Sequence, residues 1–180
     1  NATIVPHYPS LWRASGFLSA ERHQANLPAV VGKGIVLAGS CAERTMEQLL
    51  DFEARYPVLR IDLSQTQDAA AMIGSALAWA LPRLENGPVA VTTSSEPASV
   101  AASQLRYGRD GAAKLAETIL GEIAVAVHAA GVRRFVVAGG ETSGAIVARL
   151  GVRQLNAGPY GGPGIGIATT HGADPSAFCL

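Results

Sequence analysis

Residues 136–147 read VVAGGETSGAIV, an apolar run followed by two glycines, a cluster of hydroxyls and the start of a helical pattern. A strand entering a helix through a glycine turn is the unit from which α/β sheets are built. The turn matches neither G-x-G-x-x-G nor G-x-x-x-x-G-K-[ST], so it is not one of the two common nucleotide loops. Its chemistry still points to an anion. Gly139 and Gly140 permit positive φ and close approach of a ligand to bare backbone. Thr142 or Ser143 falls where the helix should begin, with unpaired N–H groups and the positive end of the helix dipole facing outward. Glu141 would oppose a phosphate, so it is read as holding Mg²⁺, bonding a ribose hydroxyl or capping the helix. The same residues also fit a plain tight turn with Thr142 or Ser143 as N-cap.

A second stretch echoes the first. IVLAGSCAERT (35–45) and FVVAGGETSGA (135–145) both pass from an apolar strand through Ala-Gly into small polar residues and a helix start. Between and around them strands and helices alternate. Strand GIVLAGS (34–40) leads to helix 42–56, strand PVLRIDL (57–63) to the alanine-rich helix 67–87, which ends at Pro82 or near Gly87, and PVAVTTSS (88–95) is a third strand. A short helix and loop at 96–108, a long helix closed by Gly131, strand RRFVVAGG (133–140) and helix 142–151 follow. VRQLNAG (152–158) and GIGIATT (164–170) have no helix between them and predict an antiparallel edge. The expected fold is a three-layer α/β/α domain, Rossmann-like, with a mostly parallel sheet. It spans 34–180, with 1–33 as an extended arm or linker carrying a short helix at SAERHQANL (19–27).

In such sheets ligands sit beyond the carboxyl ends of the strands. Three ends are rich in small polar residues: Gly39-Ser40-Cys41, Thr92 to Ser95, and Gly139 to Gly144. If these strands are neighbours, their tips line one crevice. Ser40 is a candidate for a phosphate or ribose contact, or a cap. Cys41 reads as a buried, inert thiol, since no histidine lies near it in sequence. GPYGGPG (158–164) is either a lid or a surface connection. His128 is expected on a helix surface, and the four histidines form no ligand set or nucleophile–histidine–acid group, so no catalytic residue can be named.

Composition narrows the function further. In 180 residues, 48% are apolar and 16% charged, with 14 acids balancing 14 bases. A neutral chain lacks the positive field needed for nucleic acid or a membrane surface. No apolar run approaches the ~20 residues of a membrane helix, and no signal peptide is visible, so a cytoplasmic location is the default. Cys41 and Cys179 are too far apart in sequence to form a C-x-x-C pair, arguing against a metal site or disulfide framework. Asn1-Ala2 could be a tag remnant, and the apolar stop THGADPSAFCL (170–180) suggests a truncated chain.

The order of the motifs VLAGSCAERTMEQL, VAVTTSSEP, GVRRFVVAGGETSGAIVARLGV and GPYGGPG resembles the C-terminal domain of the four-carbon acid sugar kinases. These phosphorylate 3-oxo-tetronates and related acids with ATP. The resemblance covers nearly all of 34–164, and GGETSGA is its most specific element. It implies a nucleotide-binding domain for ATP and Mg²⁺. Ser40 would contact the nucleotide, as would Gly139, Gly140, Glu141 and Thr142, with Ser143 and Gly144 alongside. It also implies a sugar-acid substrate held by an N-terminal domain missing from this chain, so the piece alone should bind nucleotide weakly and not turn over. Two features depart from the family: Ala42 stands where a second serine is usual, and the later K-S-G-N-F-G segment is missing. A non-catalytic nucleotide or sugar-phosphate sensor and a sugar-phosphate isomerase-like domain are the competing readings. Oligomeric state, a homo-oligomer included, is left open.

Overall fold

The computed structural model describes residues 7–19, 26–65, 68–93, 97–159, 165–172 and 175–180. Apolar runs with little charge become the interior strands. These are β1 (Lys33–Ala38), β3 (Val89–Thr92) and β4 (Val132–Ala138), with β2 (Val58–Arg60) on the outer edge of β3. The helices between them are α2 (Glu43–Glu53), α3 (Ala69–Arg83), α4 (Pro97–Tyr107), α5 (Arg109–Ala129) and α6 (Gly140–Arg149). Three short strands complete the sheet: β5 (Leu155–Ala157), β6 (Ile167–Thr170) and β7 (Ala177–Cys179).

The strand order is β2-β3-β1-β4-β7-β6-β5. The first five strands run parallel, while β6 is antiparallel to both β7 and β5. The mostly parallel sheet with an antiparallel edge is therefore as the sequence predicts. β7 was not foreseen, because AFC at the end of the chain is too short an apolar run to register as a strand. Its place is fixed by Phe178, which is fully buried and stacks on Phe135 with ring centroids 5.3 Å apart.

Alternation along the strands sends Ile35, Leu37, Val89, Val91, Phe135 and Phe178 to one face, against α3, α5 and α6. The opposite face carries Ala38, Ala90, Val36 and Val58, covered by Leu49, Met46 and Phe52 of α2. Helices thus lie on both faces, but α2 alone packs on the second among the described helices. Over β4 and β6 that face is open: Val136 is 45% and Ile167 40% exposed.

Local signals explain most helix ends. Asp68 caps α3 by accepting from the Ala71 N–H at 2.7 Å. Pro82 is tolerated because it falls in the final turn, where Leu84 N–H still reaches Ala80 O. The stretch expected as a short helix and loop is instead the 11-residue α4, separated from α5 by Gly108 alone. The arm, expected to be extended, holds a seven-residue helix, α1 (Tyr8–Ala14), started by Pro9. Most of the helix proposed at 19–27 lies outside the described residues; Asn26 and Leu27 are not helical.

Candidate functional site

Parallel order β3-β1-β4 brings the three polar strand tips side by side. Hydrogen bonds pin them together at their carboxyl ends. Gly39 N–H donates to Ala138 O at 3.1 Å and Thr93 N–H to Ala38 O at 3.0 Å. The Thr92 hydroxyl also donates to Ala38 O, at 2.9 Å. Beyond these tips lies a cleft of about 300 Å³. Its strand-side wall is Gly39, Cys41, Thr93 and Glu141; its helix-side wall is Val100 and Gln104 of α4 with Arg109 and Ala112 of α5. The expected crevice exists, at the sheet end where α/β folds hold ligands.

The GGETSG turn differs from its sequence reading in one respect. Gly139, at φ 118°, is the N-cap, and α6 starts at Gly140, two residues earlier than expected. Neither Thr142 nor Ser143 caps the helix, and the N-cap makes no side-chain bond. The turn uses the positive φ of Gly139, and the helix follows at once. The first ladder bond is Ser143 N–H to Gly139 O at 2.8 Å, which leaves the amides of 140–142 outside the ladder. Helix-start amides of this kind face an anion site.

The predicted residues divide into two groups. Glu141 lines the cleft, Gly140 beside it is exposed, and Gly144 is exposed one turn on. Thr142 and Ser143 are buried. Thr142 packs beneath the first tip, where its Oγ1 occupies the space a Cβ on Gly39 would need. Ser40 Cβ lies 3.4 Å from the Cβ position of Gly139, and its Oγ accepts the Ala42 N–H at 3.3 Å. The two turns are therefore in direct contact. Ser94, Ser95 and residues 160–164 lie outside the described residues.

Two expectations are overturned. Cys41 is exposed at the cleft, because the chain leaves β1 there before α2 begins. His128 is not solvated on a helix surface. It is half-buried, with Nε2 3.0 Å from Ser176 Oγ and its ring against Phe135, since β7 fills the space beside the end of α5.

Sequence reading missed the helix-side wall, and Arg109 above all. The only local signal for it was the Gly108 break that places Arg109 at a helix start. It also missed a polar orphan. The Thr93 hydroxyl is buried in the cleft wall with no hydrogen-bond partner, the residue being only 6% exposed. A buried hydroxyl without a partner is costly unless a ligand or water completes it. A larger hollow, about 380 Å³, lies near His128, Arg153 and His171. It is at the amino ends of the parallel strands, the wrong end for the turn chemistry.

Comparison with known proteins shows the family. Residues 35–180 match the family described as the nucleotide-binding C-terminal domain. A 3-oxo-tetronate kinase of Cupriavidus necator is 40% identical over 173 residues, covering 96% of this chain and 40% of that protein. A 3-oxo-tetronate kinase of Methylobacterium radiotolerans is 43% identical over 143 residues, covering 79% of this chain and 34% of its own length. The chain thus spans well under half of these curated relatives. A solved Haemophilus influenzae protein superposes with a TM-score of 0.76 at 26% identity, over 93% of this chain and 40% of that one. With the family model matching most of its length, this chain belongs to the family of nucleotide-binding C-terminal domains.

Proposed function

We propose that this chain is the ATP-holding part of a kinase acting on a four-carbon sugar acid, 3-oxo-tetronate or a related compound, at its terminal hydroxyl. Residues 34–180 would form the nucleotide domain, residues 1–33 the connection to a companion domain that binds the acid, and a cytoplasmic setting would suit both substrates. The observation that carries this reading is the cleft at the tips of β1, β3 and β4. Glu141, from the first turn of α6, and Thr93, with its unpartnered hydroxyl, line one space of ligand size there. The residues present fit a nucleotide: donors outnumber acids, and Gly140 has nothing within 4 Å of its Cβ position, so a phosphate can reach bare backbone.

In phosphoryl transfer a protein contributes positioning and charge stabilisation more than covalent chemistry. Here the amides of 140–142 would hold phosphate oxygens, with the dipole of α6 behind them. Ser40, beside Gly139, would orient the nucleotide from the neighbouring tip. Glu141, the acid of the cleft, would hold Mg²⁺, which when bound neutralises phosphate charge. Val100 and Ala112 would shed water from the other wall. β7 runs parallel to β4 and Leu180 is tied to Gly166 in both directions at 2.8 and 2.9 Å. The strand therefore points to the same sheet end as Gly139.

Calorimetry of ATP–Mg²⁺ with the complete polypeptide and a Gly140→Asp variant tests this reading. The added carboxylate fits open space and suits a helix start, so the fold should stand. Affinity should fall at least about tenfold, as expected when a charge-assisted contact is lost. Equal affinity would remove the turn from the site.

A further inference from the structure

We propose that Arg109 supplies the positive charge that reads the phosphates of the bound nucleotide, so that it discriminates a nucleoside triphosphate from a nucleoside. This rests on the nucleotide reading of the same cleft. Arg109 lines the cleft on the helix side, opposite the tip that carries Glu141, and is the cation among the described lining residues. Among the described residues it has no ion pair or hydrogen bond. Its place in the fold gives it no structural reason to be basic. It is the first residue of the 21-residue α5, at the positive end of that helix, where a cation is disfavoured. Asp110, next in the first turn, is the residue type that position favours.

Arg44, in the first turn of α2, is the comparable case, but it is exposed and lines no part of this cleft. Arg149 and Arg83 sit in last turns, the first paired with Glu122 and the second bonded to Trp79 O at 2.9 Å. A cation placed against its own helix dipole, unpaired and facing a cleft, breaks a local rule in the way functional residues do. A planar guanidinium matches phosphate oxygens in two-point contact. Glu141, in the first turn of α6, lines the same space, so a phosphate there would meet Arg109 and the start of α6 together.

The test compares ATP, ADP and adenosine binding by calorimetry, with Mg²⁺, for the complete polypeptide and its Arg109→Gln and Arg109→Lys variants. Arg109→Gln should weaken ATP by roughly 10- to 100-fold, the loss of one charge-assisted contact. ADP should lose less and adenosine should be unchanged, while Arg109→Lys retains part of the ATP affinity. The melting temperature of Arg109→Gln should equal or exceed that of the parent, because an unfavourable helix-start charge has gone. Equal losses for ATP and adenosine, or no loss for either, overturn the role of Arg109 while the nucleotide reading stands. A parent protein that binds none of the three overturns both.

Discussion

The contact between the two glycine turns can be tested by adding one carbon. A Cβ on Gly39 would overlap Thr142 Oγ1 and come within 3.4 Å of Leu120 Cδ1. Both neighbours are buried, Thr142 at 6% exposure and Leu120 fully. Overpacking of this kind costs roughly 1–3 kcal/mol. For a domain of this size that lowers the melting temperature by roughly 2–12 °C, measured by differential scanning calorimetry. The strain is local, so Gly39→Ala combined with Thr142→Ala should recover much of it. The double-mutant cycle should give a coupling of at least about 1 kcal/mol. Gly140→Ala is the control: with open space and no positive φ, it should leave stability unchanged or raise it by about 0.5–1 kcal/mol. If Gly39→Ala melts with the parent, or if Thr142→Ala fails to relieve it, then Thr142 does not join the two turns.

Ala42 is the N-cap of α2, with extended φ −64° and ψ 140° and no side-chain cap bond. Ala42→Ser should therefore raise stability by about 1 kcal/mol, or roughly 2–4 °C, in a thermal melt. Phe178→Ala removes the ring stacked on Phe135 and should cost about 3–5 kcal/mol in denaturant unfolding; a much smaller loss would mean that β7 is not part of the core. The Ser64 hydroxyl and then the Ser64 N–H hold the Asp62 carboxyl below the usual range, donating at 2.7 and 2.9 Å. A lowered folded value means that this contribution is complete above about pH 4 and fades as pH falls through the folded value. Asp62→Asn should accordingly be less stable than the parent at pH 6, and the gap should close on acidification.

The strands that build the cleft were legible because each is an apolar run ending in small polar residues, a pattern with few other uses. Their adjacency was not. Nothing in Ile35, Val89 or Phe135 says which strand lies beside which, and the side-by-side tips depend on that order. Arg109 was missed for the same reason: a residue on a helix reaches the site only once α5 is packed across β1 and β4. Thr142 looked like a cap in sequence because hydroxyls usually are, yet the positive φ of Gly139 starts the helix sooner and turns Thr142 into packing against Gly39. α1 escaped notice because seven residues cannot show a helical period, and β7 because a three-residue strand is held by Phe178 and its neighbours more than by its own pattern.

The claim on which the rest depends is that nucleotide sits at the tips of β1, β3 and β4. Titrating ATP–Mg²⁺ into ¹⁵N-labelled protein and mapping the amide shifts tests it most directly. The account predicts the largest shifts at Gly39 to Cys41, Thr93, Arg109 and Gly139 to Thr142. Shifts gathered instead around His128, Arg153 and His171, at the opposite end of the sheet, would contradict it.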